Sequence, residues 1–475
     1  MTFSRQRIAS NLSASAMGPL VTMLLQLVNV PLFLSVWGAE RYGEWLLLSA
    51  VPAYLALTDM GFGSVAATDM TMRVAGGDKK GALQTFQSTW VLICLVSLCA
   101  AVFASFAIAL VPIHRLLHIV TLSGNQLKAL LALQTLDALI SLQSGFLLSG
   151  FRCEGKYARG AFVLNLIRVA AGGAATLALL CGAPPLALAC VVTGTRLLGT
   201  LLMSARLNRD VSWLRRGFAH ASVASVRVLA GPAFSFMAFP AGNALSMEGF
   251  LIVIGSTLGA PSVALFAPMR TLTRSAFQVI DSIKNGIWPE VSMAYGARDW
   301  AAARRLHRYA CQAAFWLSSA FVAGLLLFGP AVFQAWTRGR LQLNVPVFRL
   351  LLVAIVINSF WNTSSVVLVA CNKHRGLAIR YLAGTCGALA LAYPLLQRFG
   401  LPGAAAALVL CDLWMSVYVI QASNALLKEN LWDFLDAMFD FRMLRGLLSS
   451  GARRGPARKP PVALCPSNIG SDSSL

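Results

Sequence analysis

Residues 12–36 read LSASAMGPLVTMLLQLVNVPLFLSV, from Leu12 to Val36, without one charged side chain. At about 1.5 Å of rise per helical residue, such a run exceeds the roughly 30 Å of hydrocarbon in a bilayer. Only helices and closed barrels satisfy their backbone in that solvent. The run lacks the strict alternation of a barrel strand, so it predicts a transmembrane helix. Eleven further segments of the same kind follow, near 43–68, 82–111, 125–150, 160–182, 184–206, 229–255, 262–292, 306–328, 346–371, 378–396 and 402–426. The chain has 475 residues, 57% hydrophobic and only 12% charged. Soluble domains carry about 25% charged residues. The expected fold is all-α and polytopic, with about twelve transmembrane helices.

The segments repeat. A shift of 221 residues lays Pro19 on Pro240, Gly38-Ala39 on Gly259-Ala260, Met72 on Met293 and Asp78 on Asp299. It also lays Gly155 on Gly376, Arg159 on Arg380 and Gly182 on Gly403. Most matches fall at segment ends and share one register. Six spans per copy is an even number, so both copies enter the membrane from the same side. Duplicated hydrophobic chains are characteristic of transporters, with the site between the repeats. The expected organisation is a first six-helix bundle over 1–206, a connector over 207–228, a second bundle over 229–426 and a tail over 427–475.

A net charge of +21 raises nucleic acid as a partner. The distribution argues against it: most Lys and Arg residues lie on the tails and loops of the amino-terminal side, and no aromatic-interleaved basic module occurs. Excess positive charge in short loops marks the cytoplasmic side. Both termini are therefore expected in the cytoplasm. Met1–Arg7 and the apolar run after them read as an uncleaved first span rather than a signal peptide. The ten cysteines are scattered, with no Cys-x-x-Cys and no His cluster, so neither a disulfide framework nor a metal site is expected. No Walker loop is present, and no cofactor is implied. In the tail, Leu431, Trp432, Phe434, Leu435, Met438 and Phe439 interleave with Asp433, Asp436 and Asp440, the pattern of an amphipathic interfacial helix. Beyond about residue 450 the composition is that of a disordered segment.

Charge inside a bilayer is costly and marks function. In the eighth span Arg270, Arg274, Asp281 and Lys284 share one helix face. Arg274 falls about 18 Å inward from residue 262, near the midplane. Two arginines on one face offer planar forks suited to phosphate oxygens, with Asp281 positioned to hold Lys284 or restrain Arg274. Internal ion pairs that only fix helix packing are the alternative. In the first span Asn11, Ser15, Gly18, Thr22, Gln26 and Asn29 form a polar or small stripe. Such a stripe lines a lumen, with Gln26 and Asn29 as substrate contacts, or lets helices approach closely. Asp137, Ser141 and Ser144 match Asn358, Asn362 and Ser365 under the 221-residue shift. Asp137 and Asp59 are candidates for proton or sodium coupling, and Asp137 equally for a counter-ion to an arginine.

The stretch Trp37-Gly38-Ala39-Glu40-Arg41-Tyr42-Gly43-Glu44-Trp45, followed by Asp59-Met60-Gly61-Phe62-Gly63, resembles the polysaccharide-transporter (O-antigen flippase) branch of the multidrug/oligosaccharidyl-lipid/polysaccharide (MOP) exporter superfamily. The likeness extends over about residues 8–426; Asp-Met-Gly stands where the family usually has Asp-Leu-Gly. It implies two six-helix bundles around a V-shaped cavity that opens alternately to each side. It implies a flippase, not an enzyme, in the bacterial inner membrane. The implied substrate is an undecaprenyl-diphosphate-linked oligosaccharide moved from the cytoplasmic to the periplasmic leaflet for surface polysaccharide synthesis. Membrane lipid, a polysaccharide polymerase and export machinery are the implied partners. A drug/cation antiporter of the same superfamily (MATE type) would call for acidic residues to dominate the cavity. A membrane polysaccharide ligase or polymerase would call for a substantial loop and a clustered acid–base constellation.

Overall fold

The computed structural model describes residues 5–55, 62–371, 373 and 375–439, and no strand occurs among them. The first copy comprises α1 (Arg5–Ala53), α2 (Phe62–Ala75), α3 (Lys79–Leu110), the short α4 (Ile113–Leu116), α5 (Gly124–Cys153), α6 (Tyr157–Leu180) and α7 (Pro185–Asp210). The second comprises α8 (Val223–Ala244), a π-helical turn (Leu245–Gly249), α9 (Phe250–Leu258), α10 (Ala260–Gly296), α11 (Trp300–Trp336), α12 (Val345–Ala370), α13 (Arg375–Phe399) and α14 (Leu401–Leu427). A last helix, α15 (Leu431–Phe439), follows.

Ten helical stretches among the described residues are long and apolar enough to cross a membrane. Two further crossings complete a twelve-helix, two-bundle architecture. α1 contains two crossings, because Gly38 at φ 75 and ψ 176 bends the helix back at the far face. α10 has the length to cross at 37 residues, but Arg270, Arg274, Asp281 and Lys284 make it too polar to qualify by hydropathy. The expected second span is described as helix up to Ala53 and again from Phe62, and the seventh is interrupted by the π turn.

The backbone repeats the 221-residue register. Gly38 and Gly259 share a left-handed conformation (φ 75 and 81). So do Gly77 and Arg298 (φ 82 and 57), and His118 and Gly339 (φ 49 and 69). Asp78 and Asp299 each cap the following helix with the side chain, accepting from Gly81 and Ala302 backbone N–H groups.

Packing differs between the two membrane faces. On the face away from the amino terminus, one apolar core runs through both bundles, joining Phe33, Leu34 and Leu47 to Phe266, Met269 and Phe333. A Cβ on Gly43 would lie 1.9 Å from the Ala260 carbonyl oxygen, so glycine permits this closest approach of the copies. Trp336 Nε1 donates across the junction to the Leu27 carbonyl at 3.0 Å. The buried Glu44 carboxylate accepts from the Val120 and Thr121 backbone N–H groups at 2.6 and 2.8 Å, tying the loop before α5 to α1. Toward the basic amino-terminal face the cores separate. Phe86, Phe146, Phe151 and Met203 pack in the first bundle; Val366, Val367 and Leu427, and separately Trp361, Leu377 and Met415, pack in the second. The first-bundle core also takes in Leu229 of α8, where the connector hands the chain over. The core shared by the two bundles is therefore confined to the face away from the amino terminus.

The expected amphipathic helix is α15. Phe434, Ala437 and Met438 are buried while Trp432 and Phe439 are exposed. Phe434 stacks on His307 of α11 at 5.0 Å, and Trp316 Nε1 donates to the Met438 carbonyl at 3.0 Å. The tail from residue 440 lies outside the described residues.

Candidate substrate cavity

A cavity of about 470 Å³ lies within the second bundle, between the π turn and helices α8, α10, α12, α13 and α14. That volume falls in the ordinary range for small-ligand sites, about 300–1,000 Å³. The 4, 7 and 3 residue spacings on α10 do what helical geometry dictates: Arg270, Arg274, Asp281 and Lys284 all line it.

Their engagements differ. Arg270 is only 6% exposed and its guanidinium is committed. Nη2 donates to the Ser246 carbonyl at 2.5 Å and to its Oγ at 3.2 Å, and Nη1 donates to the Met247 carbonyl at 3.1 Å. Both carbonyls belong to the π turn, whose widened register takes backbone groups out of the regular helical ladder. The guanidinium also lies 5.9 Å from the rings of both Phe250 and Phe266. Arg270 thus staples α10 to the irregular turn. Arg274, one turn further along, is engaged by no hydrogen bond or ion pair among the described residues. Its guanidinium lies 5.2 Å from the Phe277 ring and lines the cavity.

Lys284 and Asp281 meet through an intermediary. Lys284 Nζ donates to Asn362 Oδ1 at 2.9 Å, and Asn362 Nδ2 donates to Asp281 Oδ1 at 2.7 Å. No direct Asp281–Lys284 or Asp281–Arg274 ion pair forms among the described residues. Asp412 of α14 lines the same cavity and accepts from Asn358 Nδ2 at 2.8 Å and Trp361 Nε1 at 2.9 Å. Its pairing and the presence of Tyr381 of α13 are beyond what spacing on one helix reveals. Asp412 is legible in the sequence only as an acid inside an apolar span, and the polar series Asn358, Asn362 and Ser365 also lines the cavity.

The other candidate residues lie elsewhere. Asn29 Oδ1 accepts from Thr176 of α6 at 2.8 Å, and a Cβ on Gly18 would come within 2.9 Å of Arg168 Nη1. This part of the α1 stripe packs closely against α6, while Thr22 and Gln26 are exposed. Neither Gln26 nor Asn29 lines the second-bundle cavity. The side chains of Asn11 and Ser15, and all of Asp59, lie outside the described residues. Asp137 accepts from Arg196 Nη1 at 2.6 Å, and the same nitrogen reaches Ser141 Oγ at 2.6 Å. The second Asp137 oxygen is buried without a hydrogen-bond partner. Among the described residues no group of three or more His, Cys, Asp or Glu side chains is placed to hold a metal ion.

The cavity thus combines two arginines, a lysine, the carboxylates Asp281 and Asp412 and the amides Asn358 and Asn362, so it offers both charge signs and amide hydrogen bonds to a ligand. Comparison with solved structures bears on the fold around it. An inward-facing multidrug resistance MATE family transporter of the MOP superfamily superposes with a TM-score of 0.71 at 17% identity, covering 87% of this chain and 99% of that one. An outward-facing structure of a multidrug resistance MATE family transporter gives a TM-score of 0.60 at 16% identity, over 88% and 96% of the two chains. A MOP superfamily transporter from Pyrococcus furiosus, described by a reversed polarity of its binding pocket that suggests a different function, gives 0.61 at 16% identity, over 89% and 96%. No family model and no curated protein matches the sequence. The chain has the fold of these MOP-superfamily membrane transporters.

Proposed function

We propose that this protein is a flippase for an undecaprenyl-diphosphate-linked oligosaccharide, moving it between leaflets by alternating access. The observation that carries the reading is Arg274, which lines a membrane-embedded cavity and makes no hydrogen bond or ion pair among the described residues. Asp281 and Asp412 line the same cavity without pairing with it directly, so its planar fork is left for a ligand, and a diphosphate offers it several oxygens at once. Lys284 extends the positive surface toward the basic face, Arg270 holds the cavity wall, and Asn358 and Asn362 supply amides for sugar hydroxyls. Gln26, exposed on α1, is the first-bundle residue proposed to meet the substrate, whereas Asn29 is taken up in the seam with α6. The polyprenyl tail stays in the bilayer.

By the positive-inside rule the basic face is the cytoplasm of a bacterial inner membrane, with both termini on that side. The product would reach a polymerase and export machinery on the other side. Coupling to protons or sodium through Asp59 or Asp137 is the alternative to uncoupled exchange drawn by downstream polymerisation. Export measured while each gradient is collapsed separately distinguishes the two; indifference to both removes the acids from that role. Asp412 and Asp281 favour, as a second reading, a MATE-type antiporter for organic cations.

The test is complementation of a flippase-deficient strain. Arg274→Ala, inserted at normal levels, is expected to lose export, and full export by the Arg270→Ala/Arg274→Ala double variant overturns the cationic-cavity mechanism. Failure of the natural chain to transport any organic cation removes the second reading.

A further inference from the structure

A second basic recess lies outside the transport cavity, on the first bundle. It has a volume of about 630 Å³ and is lined by Trp90 of α3, Asn208 of α7, and Arg215 and Arg216 of the connector. The connector here is fixed. Gln87 Nε2 donates to the Arg215 carbonyl at 2.9 Å, the His220 backbone N–H donates to Gln87 Oε1 at 2.8 Å, and the Ser222 N–H donates to Ser88 Oγ at 2.8 Å. Gln87 and Ser88 are themselves buried. The two arginines are therefore presented at set positions rather than on a loose loop.

Arg215 Nε donates to the Ser212 carbonyl at 3.3 Å, which leaves its two Nη groups for a ligand. Two acids of the first bundle are engaged elsewhere: Asp210 pairs with Arg159 at 3.3 Å, and Glu154 accepts from Trp213 Nε1 at 3.1 Å. Among the described residues neither Arg215 nor Arg216 forms an ion pair. Beside them Phe218 is 71% exposed, its ring 5.5 Å from Trp90.

Depth identifies the occupant. α3 ends at Leu110 on the far face. About 20 residues of helix fill the hydrocarbon, which brings its near boundary to Trp90. Leu95 and Leu98, just inside that boundary, are 56% and 62% exposed, as lipid-facing residues are. Tryptophan at this depth marks the interface, and basic pockets beside it lie in the headgroup layer.

We infer that Arg215, Arg216 and Asn208, with Trp90 and Phe218 as an apolar flank, bind the phosphate headgroup of an anionic phospholipid in the leaflet at the basic face. The guanidinium forks take the phosphate oxygens, and the aromatic pair lies against the upper acyl chains. Because the connector joins the two bundles, the bound lipid fixes the point from which α8 departs. This site is independent of the cargo proposed above.

The test is native mass spectrometry of the detergent-purified full chain, titrated with phosphatidylglycerol or with phosphatidylcholine. Preferential retention of phosphatidylglycerol is expected. Each basic residue near a membrane surface is worth about fivefold in anionic-lipid binding, so Arg215→Gln/Arg216→Gln should weaken retention roughly thirtyfold without changing phosphatidylcholine. An Arg215→Lys/Arg216→Lys variant should keep most of the preference, separating lost charge from misfolding. Equal retention of the two lipids by the natural chain overturns the inference, as does unchanged retention by the glutamine variant. Displacement of phosphatidylglycerol by millimolar inorganic phosphate also overturns it, since the site would then serve a free anion.

Discussion

Arg270 and Arg274 sit one turn apart on one helix face, yet the structure predicts opposite consequences for removing them. Arg270→Gln withdraws the donors that satisfy the Ser246 and Met247 carbonyls of the π turn. A buried carbonyl left unpaired costs about 1–3 kcal/mol. Two such losses, partly offset by no longer burying a cation, leave a destabilisation of about 2–4 kcal/mol. Arg274→Gln breaks no hydrogen bond among the described residues and removes a buried cation, so the variant should be no less stable than the natural chain. Binding should respond the other way. Hydrogen bonds to charged groups contribute about 1.5–3 kcal/mol, so losing the Arg274 fork weakens a diphosphate ligand by about 10–150-fold. Thermal unfolding in detergent reads the first quantity, and titration with undecaprenyl diphosphate reads the second. If Arg274→Gln unfolds earlier than the natural chain while Arg270→Gln does not, the division of roles between the arginines is wrong. If both proteins bind the diphosphate lipid as the natural chain does, the cavity is not its site.

Further consequences follow from other contacts. Gly43→Ala places a methyl against the Ala260 carbonyl, which is backbone and cannot swing aside. Spin-label distances between the bundles at the far face should lengthen, and unchanged distances would show that this approach does not hold the face closed. Burial favours a protonated Glu429, but His307 and Arg308 outweigh it and hold the carboxyl below the usual carboxylate range. A depressed folded-state value means the stabilisation is full above the unfolded value of about 4.3 and is lost as pH falls through the lower folded one. Docking of α15 should therefore hold at neutral pH and loosen only in acid below about pH 4.3. Protease sensitivity around residue 430 reports this, and loosening near pH 6 would contradict it. Asp137→Leu leaves the half-buried Arg196 with only Ser141 as a described side-chain partner, and a loss of about 1–3 kcal/mol is expected. Asp137→Leu/Arg196→Leu should recover much of it, and a double variant no more stable than the single would refute the pairing.

Much of the architecture was legible because a bilayer acts on sequence locally. Each crossing must be a self-satisfied helix of roughly 20 apolar residues, so hydropathy located the spans, and the 221-residue shift located matching turns. Gly38 and Gly259 show why the glycines aligned: both hold a left-handed bend that side chains resist. The positions of Arg270, Arg274, Asp281 and Lys284 around one cavity were legible for the same reason, since helical periodicity is local.

Partnership was not legible, because it is settled between helices far apart in the chain. Arg270 binds carbonyls in a π turn that no hydropathy pattern announces. The acid on the opposite cavity wall is Asp412 of α14, held by Asn358 and Trp361 of α12. The α1 stripe shows the same limit. Its spacing is equally that of a lumen and of a packing seam, and only the arrival of α6 with Thr176 and Arg168 turned Asn29 and Gly18 into seam residues. By itself, then, the sequence determined a duplicated, twelve-crossing membrane chain with charge concentrated in its eighth span. The tertiary structure decided which of those charges the protein neutralises and which it leaves facing the cavity. Intramembrane charge has no water to solvate it, so its role is set by whichever groups the packed neighbours bring within reach.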